Sequence, residues 1–564
     1  METLRTEVLV IGSGFGAAAP ALRLARSGFE VLMIEKGPEI VPARDFRQTQ
    51  DPQYLLRYIK SVRGDNVNYT YAEGLGGGSG FYESVSLRAP TIAFDQRDST
   101  GALLWPGSLS RQRMNPYYEI AERMMSVSQL ALRDIPRSGL AFALLMKRLG
   151  YCVDRVPYSI RGCVGHSFCV AGCVSGAKVT VHTPYLAPAV RAGMRIITGL
   201  EARRVRILCH EEAADSRLIS EIPYRYEVQC YDEARGSSLG VQAKILILAG
   251  GTVGTARLLL NSRAGLPALS SEIGKNISVN GTVKSLGILP EDFIKGDMFT
   301  GLSHPGLISY QFLSSRGITI STSKPLPVDA VSYANLFLEG ERRIPSWWGQ
   351  AKVDLMKLYR RRAIVLYALG LTSPTASLRL RRGGEMVAQF SMGDEFRAYY
   401  RETLALLHSI LRRGGARVAH IRIIDAQGVE YEDLHTTTAH MTGSCRMGED
   451  PSRAVVDASG EVFHCKGMYI TDGSAIPSAL AVNPYLTILA NAERVGDLLR
   501  HTYHSGRSEQ GPVETGNERD SGFVPGHRRN RLHRYIRRAG IAPPEGPGEG
   551  PGKKAPAIRR RFDR

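Results

Sequence analysis

The first apolar run of the chain, Val8 to Ile11, has the length and composition of a buried strand in a parallel sheet. Three glycines follow it at alternate positions, and residues 17–26, rich in alanine and leucine, then predict a helix. A second run, residues 30–34, predicts the next strand. Strand, glycine turn, helix and strand in this order predict a βαβ unit at the N-terminus.

The glycine turn has the spacing of a dinucleotide-binding fingerprint. Gly12 permits the tight turn, Gly14 lets a pyrophosphate approach the backbone, and Gly16 leads into a helix N-terminus that favours phosphate. Ala17 stands where the third glycine of the motif is common, and Glu35 ends the second strand, where its carboxylate would accept hydrogen bonds from a ribose. The pattern therefore predicts an adenine dinucleotide without a 2′-phosphate, and at this point leaves FAD and NAD open.

Further along, the pattern predicts both strands and helices. Residues 106–153 contain helical periodicity, residues 183–193 and 395–413 predict helices, and residues 81–87 are prone to form a strand. Strands are predicted at 195–198, 224–231 and 241–248, and Ala249 and Gly250 follow the last of these in a second glycine turn. From about 289 to 429, short strands alternate with Gly and Pro turns, and residues 421–424 begin the return to the first part.

Composition narrows the class of protein. Of the 564 residues 43% are hydrophobic and 22% charged, as in an ordinary globular protein, and no run approaches the roughly 18 apolar residues of a membrane span. The N-terminus shows no apolar signal segment and the eight cysteines are widely spread, so we expect a cytoplasmic protein with reduced thiols.

The formal net charge of +18 raises the question of nucleic-acid binding. From Ser505 onward there are fourteen Lys and Arg against seven Asp and Glu, so this segment supplies +7 of the total. No nucleic-acid-binding motif accompanies the charge, and we expect a disordered basic tail at 505–564 and no nucleic-acid partner.

A glycine-rich loop at 74–80 carries the first resemblance to a family. Gly76, Gly77, Gly78 and Ser79 resemble the flavin loop of the glucose–methanol–choline (GMC) oxidoreductases, and the segment 86–90 is similar to the cholesterol-oxidase-like branch. In some members a histidine two residues after that serine binds the flavin covalently. Phe81 stands there in this chain, so the resemblance implies non-covalent FAD.

A cysteine-rich segment lies between the predicted helices and the second glycine turn. Cys163, His166, Cys169 and Cys173 have a two-two-three spacing that could ligate a metal or an iron–sulfur cluster. The same spacing resembles the cysteine-rich segment of cholesterol-oxidase-like and long-chain-alcohol-oxidase-like relatives, and we expect a structural loop without metal.

The C-terminal part carries the chemically pointed groups. His440 lies in a Gly- and Ser-rich segment, Asp472 and Gly473 follow a predicted strand, and Asn483 and Pro484 predict the cap and first residue of a helix. The order of these blocks resembles the C-terminal signature of the family, which implies that His440 is the catalytic base, Asn483 its partner and Asp472 a flavin-binding residue. The cofactor site expected in full comprises Gly12, Gly14, Gly16, Ala17, Glu35, Gly76, Gly77, Gly78, Ser79, Ala249, Gly250, Asp472, Gly473 and Pro484.

Together these features predict an α/β fold, a Rossmann-like FAD-binding domain with an inserted α+β substrate-binding domain on an antiparallel sheet. The predicted FAD-binding domain comprises 1–100, 160–288 and 430–504, and the substrate-binding domain and lid comprise 101–159 and 289–429.

The resemblance implies oxidation of an alcohol, with hydride transfer to flavin N5 and oxygen or another acceptor reoxidising the flavin. The substrate is expected to be a sterol-like or other hydrophobic alcohol, or a biosynthetic sugar or polyol. A non-redox lyase of the hydroxynitrile-lyase type and a non-catalytic flavoprotein remain as alternatives.

Overall fold

The structure is a computed structural model that describes residues 3–46, 52–167, 169–209, 216–324, 335–338, 349–422 and 436–507. All of them lie within one compact unit, Met1–Gln510. Of the predicted tail at 505–564, residues 508–564 lie outside the described residues. The predicted mixture of helices and strands is confirmed.

The first sheet is built around the N-terminal strand. Thr3–Ile11 pairs in parallel with Val31–Glu35 on one side and with Ser237–Leu248 on the other, and every residue from Val8 to Ile11 is buried, as the continuous apolar run predicts. In spatial order the strands are Arg195–Thr198, Val31–Glu35, Thr3–Ile11, Ser237–Leu248, Tyr226–Asp232 and Leu200–Ile207, with Met468–Ile470 also paired in parallel with Ser237–Leu248. Tyr226–Asp232 is antiparallel to both of its neighbours in this order, Ser237–Leu248 and Leu200–Ile207.

The second sheet is antiparallel throughout. Its spatial order is Asn335–Leu338, Arg417–Arg422, Val283–Ile288, Ala363–Gly370, Ile318–Ser323, Leu307–Ser309 and Asp154–Arg155. The helix Asp394–Arg413 packs on one face, where Leu411 lies so close to Gly287 that a β-carbon there would be 2.6 Å from it. The predicted helix at 395–413 is thereby confirmed.

Smaller elements connect the two sheets. The remaining strands are Ile59–Arg63, Val67–Ala72 and Thr436–Thr438 in one sheet, Ala376–Leu380 with Met386–Phe390, and Ser128–Gln129 with Pro157–Tyr158. The α-helices of the described part are Phe15–Arg26, Pro42–Asp45, Pro52–Leu55, Arg111–Met124, Arg137–Arg148, Ala187–Arg191, Gly251–Asn261, Leu313–Arg316, Gly349–Arg362, Asp394–Arg413 and Tyr485–Thr502.

Two helices from opposite ends of the chain pack together over the first sheet. The N-terminal helix Phe15–Arg26 and the C-terminal helix Tyr485–Thr502 approach so closely that a β-carbon on Gly496 would lie 2.9 Å from Pro20 Cα. Arg23 of the first helix pairs with Glu493 of the second at 2.6 Å. This contact brings the C-terminal segments next to the glycine fingerprint.

Several predicted elements differ from the structure. Residues 81–87 form no strand, since only Val85 makes an isolated bridge, to Tyr158. Val283–Ile288, which the predicted boundary at 288 assigns to the first domain, is a central strand of the second sheet. Ile421, expected to begin the return, also belongs to the second sheet, whereas residues 423–424 lie outside the described residues. Strand propensity does not specify which sheet a strand joins.

The end of the described chain is attached to the first sheet. Ser505 Oγ donates to Ser27 O at 2.6 Å, and Arg507 pairs with Glu7 at 2.5 Å. The packed chain therefore reaches at least Arg507. In the part of the chain that the structure describes, no helix has the length and apolar character needed to cross a membrane.

Candidate active site

The glycine fingerprint is held against two other segments of the chain. A β-carbon on Gly12, whose φ is +96°, would lie 2.3 Å from Ala249 O, and one on Gly16 would lie 2.6 Å from Asp472 Cα. Neither distance is tolerated by a side chain. Gly12 and Gly16 therefore allow Ala249 and Asp472 to approach the turn closely. This packing role is additional to the cofactor-binding role predicted from the sequence.

The turn ends at a helix N-terminus that faces a cavity. Gly14 caps Phe15–Arg26 without a side-chain hydrogen bond, and Gly14, Phe15 and Gly16 line the cavity. The free N–H groups and the helix dipole at this end favour a phosphate. Ala17 lies behind the turn, fully buried in the core.

Glu35 lies at the end of its strand as predicted, and it is already engaged by the protein. It accepts hydrogen bonds from Ser13 Oγ at 2.6 Å and from the backbone N of Gly37 at 2.8 Å. Burial raises the pKa of this carboxyl, although the hydrogen bonds oppose the shift. Glu35 also lines the cavity, at the end where an adenosine ribose is expected.

The glycine-rich loop closes over the fingerprint. Gly76 N donates to Ser13 Oγ at 2.9 Å, and Ser79 Oγ donates to Gly76 O at 2.7 Å, which holds the loop in place. Gly77 and Gly78 line the cavity, whereas Ser79 is fully buried behind them. Ser13, which joins this loop to Glu35, was not singled out from the sequence although it lies inside the fingerprint.

Asp472 joins the second glycine turn to the C-terminal segment. Its carboxylate accepts hydrogen bonds from Gly251 N at 2.7 Å, Thr255 Oγ1 at 2.6 Å and Ser474 N at 2.8 Å. Burial raises the pKa of Asp472, and these hydrogen bonds oppose the shift. Asp472 lines the cavity together with Ala249, Gly250, Gly473 and Pro484.

His440 and Asn483 meet in the wall of the same cavity. Asn483 Nδ2 lies 3.2 Å from His440 Nε2, and both residues line the cavity. Burial, together with the positive charge of Lys284, lowers the pKa of His440 to about 4. The imidazole is therefore neutral at pH 7, with Nε2 able to accept a proton.

The predicted capping role of Asn483 is wrong. The helix begins at Tyr485 with Pro484 as its cap residue, and no side chain caps it. The Asn483 amide points to His440 instead, because the cavity offers it a hydrogen-bonding partner.

The volume of the cavity and the polar groups in its wall fit a bound dinucleotide. Its volume is about 1000 Å³, and its lining includes Glu35, the fingerprint and His440. A β-carbon on Gly78 would meet no atom within 4 Å, and among the described residues Asn483 Oδ1 is a buried acceptor without a hydrogen-bond partner. Open space beside the glycine loop and an unsatisfied acceptor at the far end fit a bound flavin and substrate.

The substrate end of the cavity contains charged groups that the sequence reasoning missed. Glu83, Lys284 and Lys324 line it, together with Tyr367. Burial lowers the pKa of Lys324 to about 8. Lys284 is the only charged residue of the strand Val283–Ile288, and this interruption of an otherwise mostly apolar strand is the signal that could have found it.

The cysteine-rich segment forms part of the cavity wall. Ser167, Val170 and Ala171 line the cavity, and Lys178 Nζ donates to Gly80 O at 2.9 Å and to Cys169 O. Among the described residues, no group of three or more His, Cys, Asp and Glu side chains is arranged to hold a metal ion. The expectation that the segment is a structural loop stays a prediction.

Comparison with known proteins identifies the family. Residues 7–280 match the N-terminal model, and residues 380–492 the C-terminal model, of the GMC oxidoreductases. The chain is 27% identical over 534 residues to 6'''-hydroxyparomomycin C oxidase of Streptomyces lividus. The aligned region covers 86% of this chain and 90% of that protein. It is 24% identical over 551 residues to a cholesterol oxidase of Mycobacterium tuberculosis, which covers 87% of this chain and 90% of the relative.

The fold agrees with a solved structure of an oxidase. Pyridoxine 4-oxidase from Mesorbium loti superimposes with a TM-score of 0.61 at 17% identity, over 88% of this chain and 100% of that one. The two family matches include the fingerprint, the glycine loop and the His440 and Asn483 segments, and they show that the chain belongs to the GMC oxidoreductases, whose cofactor is FAD.

Proposed function

We propose that the protein oxidises an alcohol CH–OH group to the carbonyl, with His440 as the proton acceptor and Asn483 as the residue that holds the substrate oxygen. The contact of 3.2 Å between these two side chains, in the cavity that also contains the fingerprint, carries the proposal. When bound, FAD supplies the hydride acceptor at N5.

The chemistry of the two residues matches this role. Alcohol oxidation needs a base at the hydroxyl proton while the carbon-bound hydrogen leaves as hydride. His440 is neutral at pH 7 because its pKa is lowered to about 4, and the Nε2 lone pair, which accepts a hydrogen bond from Asn483 Nδ2, can take that proton from a substrate hydroxyl. Asn483 positions the oxygen on which negative charge develops, as an oxyanion-type partner does.

The relatives support two substrate classes. The names of the two relatives are those of a hydroxyparomomycin oxidase and a cholesterol oxidase, which act on a sugar-containing compound and on a sterol respectively. We propose an alcohol of one of these classes, a sugar or polyol or a hydrophobic alcohol, with oxygen or another electron acceptor reoxidising the flavin.

Non-covalent FAD is part of the proposal. Phe81 offers no nucleophile, and its ring packs against Phe46 and Tyr58, with centroids 5.6 Å away in both cases. We expect acid precipitation to release intact FAD into the supernatant. Flavin that stays with the precipitated protein would contradict this.

Anaerobic reduction of the purified flavoprotein tests the function. We expect the yellow flavin band to bleach on addition of members of a panel of sterols, primary alcohols and sugars, and to return when air is admitted. His501→Gln is a matched control for His440→Gln, because His501 lies on the exposed side of the C-terminal helix and does not line the cavity. Cleavage of a cyanohydrin without bleaching would favour a lyase, and no reaction with any compound would favour a non-catalytic flavoprotein.

A further inference from the structure

Lys284 is the exposed member of an otherwise buried strand. In Val283–Ile288 the other five residues are buried, and the lysine side chain lines the cavity. Lys284 lies directly opposite Tyr367 on the neighbouring strand, so the two side chains lie side by side on one face of the second sheet. Tyr367 also lines the cavity.

The rest of this face is covered by a helix. Leu286 and Val365, one register step further on the same face, are buried in a cluster with Leu355 and Tyr359 of the helix Gly349–Arg362. The helix therefore covers one part of the face and leaves Lys284 open to the cavity.

The Lys284 ammonium has no close counter-charge in the described part of the chain. No described carboxylate lies within 4.0 Å of it, and Glu83, which lines the same cavity, attracts it only at longer range. Burial raises the pKa of Glu83. Lys324 adds a second ammonium group to the cavity wall, with its Nζ donating to Thr300 O.

We propose that Lys284 binds an anionic oxygen group of the substrate, so that among the sugars, polyols and hydrophobic alcohols of the proposed function this protein prefers those that also carry a carboxylate or another anionic group. The Lys284 ammonium lines the cavity with no described carboxylate beside it, and a charge-assisted hydrogen bond from this ammonium to a substrate carboxylate would stabilise the bound substrate. The proposal rests on the proposed function, because it assigns the substrate of the same cavity.

The position of Lys284 relative to the base lets one molecule span both groups. Lys284 and His440 line the same cavity, and the Lys284 charge, after burial, contributes to the lowered pKa of His440, so the two groups lie within electrostatic range of each other. The hydroxyl group of such a substrate can lie at His440 while its carboxylate lies at Lys284, next to the Tyr367 phenol.

Matched substrates test the proposal. The probes are 1-hexanol, 6-hydroxyhexanoate and 6-amino-1-hexanol, with shorter and longer homologues from four to ten carbons. We expect the wild-type kcat/KM for the hydroxy acid to exceed that for the neutral alcohol about tenfold or more, as one charge-assisted contact gives. Lys284→Gln should remove this preference, and Lys284→Glu should turn it toward the amino alcohol. Lys357→Gln is the control, because it removes one exposed lysine outside the cavity.

A binding measurement separates this proposal from the proposed function. Hexanoate has no hydroxyl group to oxidise, and we expect it to raise the melting temperature of the flavin-loaded wild type and of Lys357→Gln but not of Lys284→Gln. If hexanoate binds in this way while no alcohol bleaches the flavin, the proposed function fails and the anion site stands. If alcohols bleach the flavin with the same charge preference in wild type and Lys284→Gln, the anion site is wrong and the proposed function stands.

Discussion

At the scale of single residues, the protonation state of His440 decides what the site can do. The side chain is half-buried beside Asn483, and burial and the Lys284 charge both disfavour the imidazolium. A histidine with an ordinary pKa near 6.5 would be partly protonated at pH 6, whereas this one remains a base down to about pH 4.

The pH dependence of flavin reduction should reflect this shift. Only neutral His440 accepts a proton, so we expect the reduction rate to fall about tenfold per pH unit below about pH 4 and to be level above it. Lys284→Gln removes a charge that lowers this pKa, so the acidic limb should move to higher pH. Stopped-flow reduction between pH 3.5 and 8 measures both, and an acidic limb near pH 6.5 in the wild type would contradict the expected shift.

Removal of each member of the pair should separate chemistry from cofactor binding. We expect His440→Ala to keep FAD and to lower the reduction rate by roughly 100- to 10,000-fold, the usual contribution of a positioned base. Asn483→Ala should cost somewhat less, about 100-fold, as for the loss of one oxyanion donor. Both variants are compared with His501→Gln by flavin content and stopped-flow absorbance. Wild-type rates in His440→Ala would exclude it as the base.

At the scale of elements, the site depends on three segments that meet at the fingerprint turn. The turn packs against the second glycine turn through Gly12 and against the segment before the C-terminal helix through Gly16. The C-terminal helix in turn packs on the fingerprint helix, where Arg23 pairs with Glu493 and with Asp497. The cofactor site is thus also a packing centre.

Gly16→Ala tests this packing role. The added carbon would lie 2.6 Å from Asp472 Cα, so backbone must move, and we expect a loss of about 3 kcal/mol in the free energy of unfolding together with a lower FAD content. Gly393→Ala is the control, since its φ is −62° and a β-carbon there meets no atom within 4 Å. Urea unfolding of both proteins measures the difference. Equal stability of the two variants would show that the turn adapts to a side chain.

The cysteine-rich segment should prove to be a wall of the cavity that holds no metal. Lys178 ties it to the glycine loop through Gly80 O and Cys169 O, which explains its position without a ligated ion. We expect elemental analysis to find less than one iron or zinc per chain, and Cys169→Ser to retain FAD. Stoichiometric metal that is lost in Cys169→Ser would assign the spacing to a metal site.

At the scale of the whole molecule, the last described residues of the chain contact its N-terminal segment. Arg507 pairs with Glu7, whose side chain is 9% exposed, and Ser505 donates to Ser27 O. The residues predicted to bind the cofactor or to catalyse the reaction all lie before this point.

Two truncations distinguish the attached end from the segment beyond Arg507. Removal of 508–564, a segment rich in Gly, Pro and charge, should leave FAD content and flavin reduction unchanged. Removal of 505–564 also takes away Arg507, the charged partner of the buried Glu7 carboxylate, and should lower the free energy of unfolding by about 1–2 kcal/mol. Denaturant unfolding and flavin absorbance measure both, and loss of flavin from the shorter deletion would assign the segment a role in the site.

Much of this protein is determined by local sequence pattern. The fingerprint strand and helix, the helix at 394–413 and the approximate positions of most strands follow from apolar periodicity and glycine turns, because burial on one or both faces dictates that pattern. The family and its cofactor follow from short motifs, because backbone geometry requires glycine at fixed places and the segments that contain the fingerprint, His440 and Asn483 lie inside the matched ranges.

Other properties depend on tertiary contacts that no local pattern contains. The assignment of Val283–Ile288 to the second sheet comes from pairing with residues 363–370, some eighty positions away, and that pairing places Lys284 in the cavity. Asn483 contacts His440 and does not cap the helix. Local sequence does not reveal this contact, because His440 lies 43 residues away in the chain. The lowered pKa of His440 has the same origin, since both burial and the Lys284 charge exist only after the two sheets have enclosed the cavity.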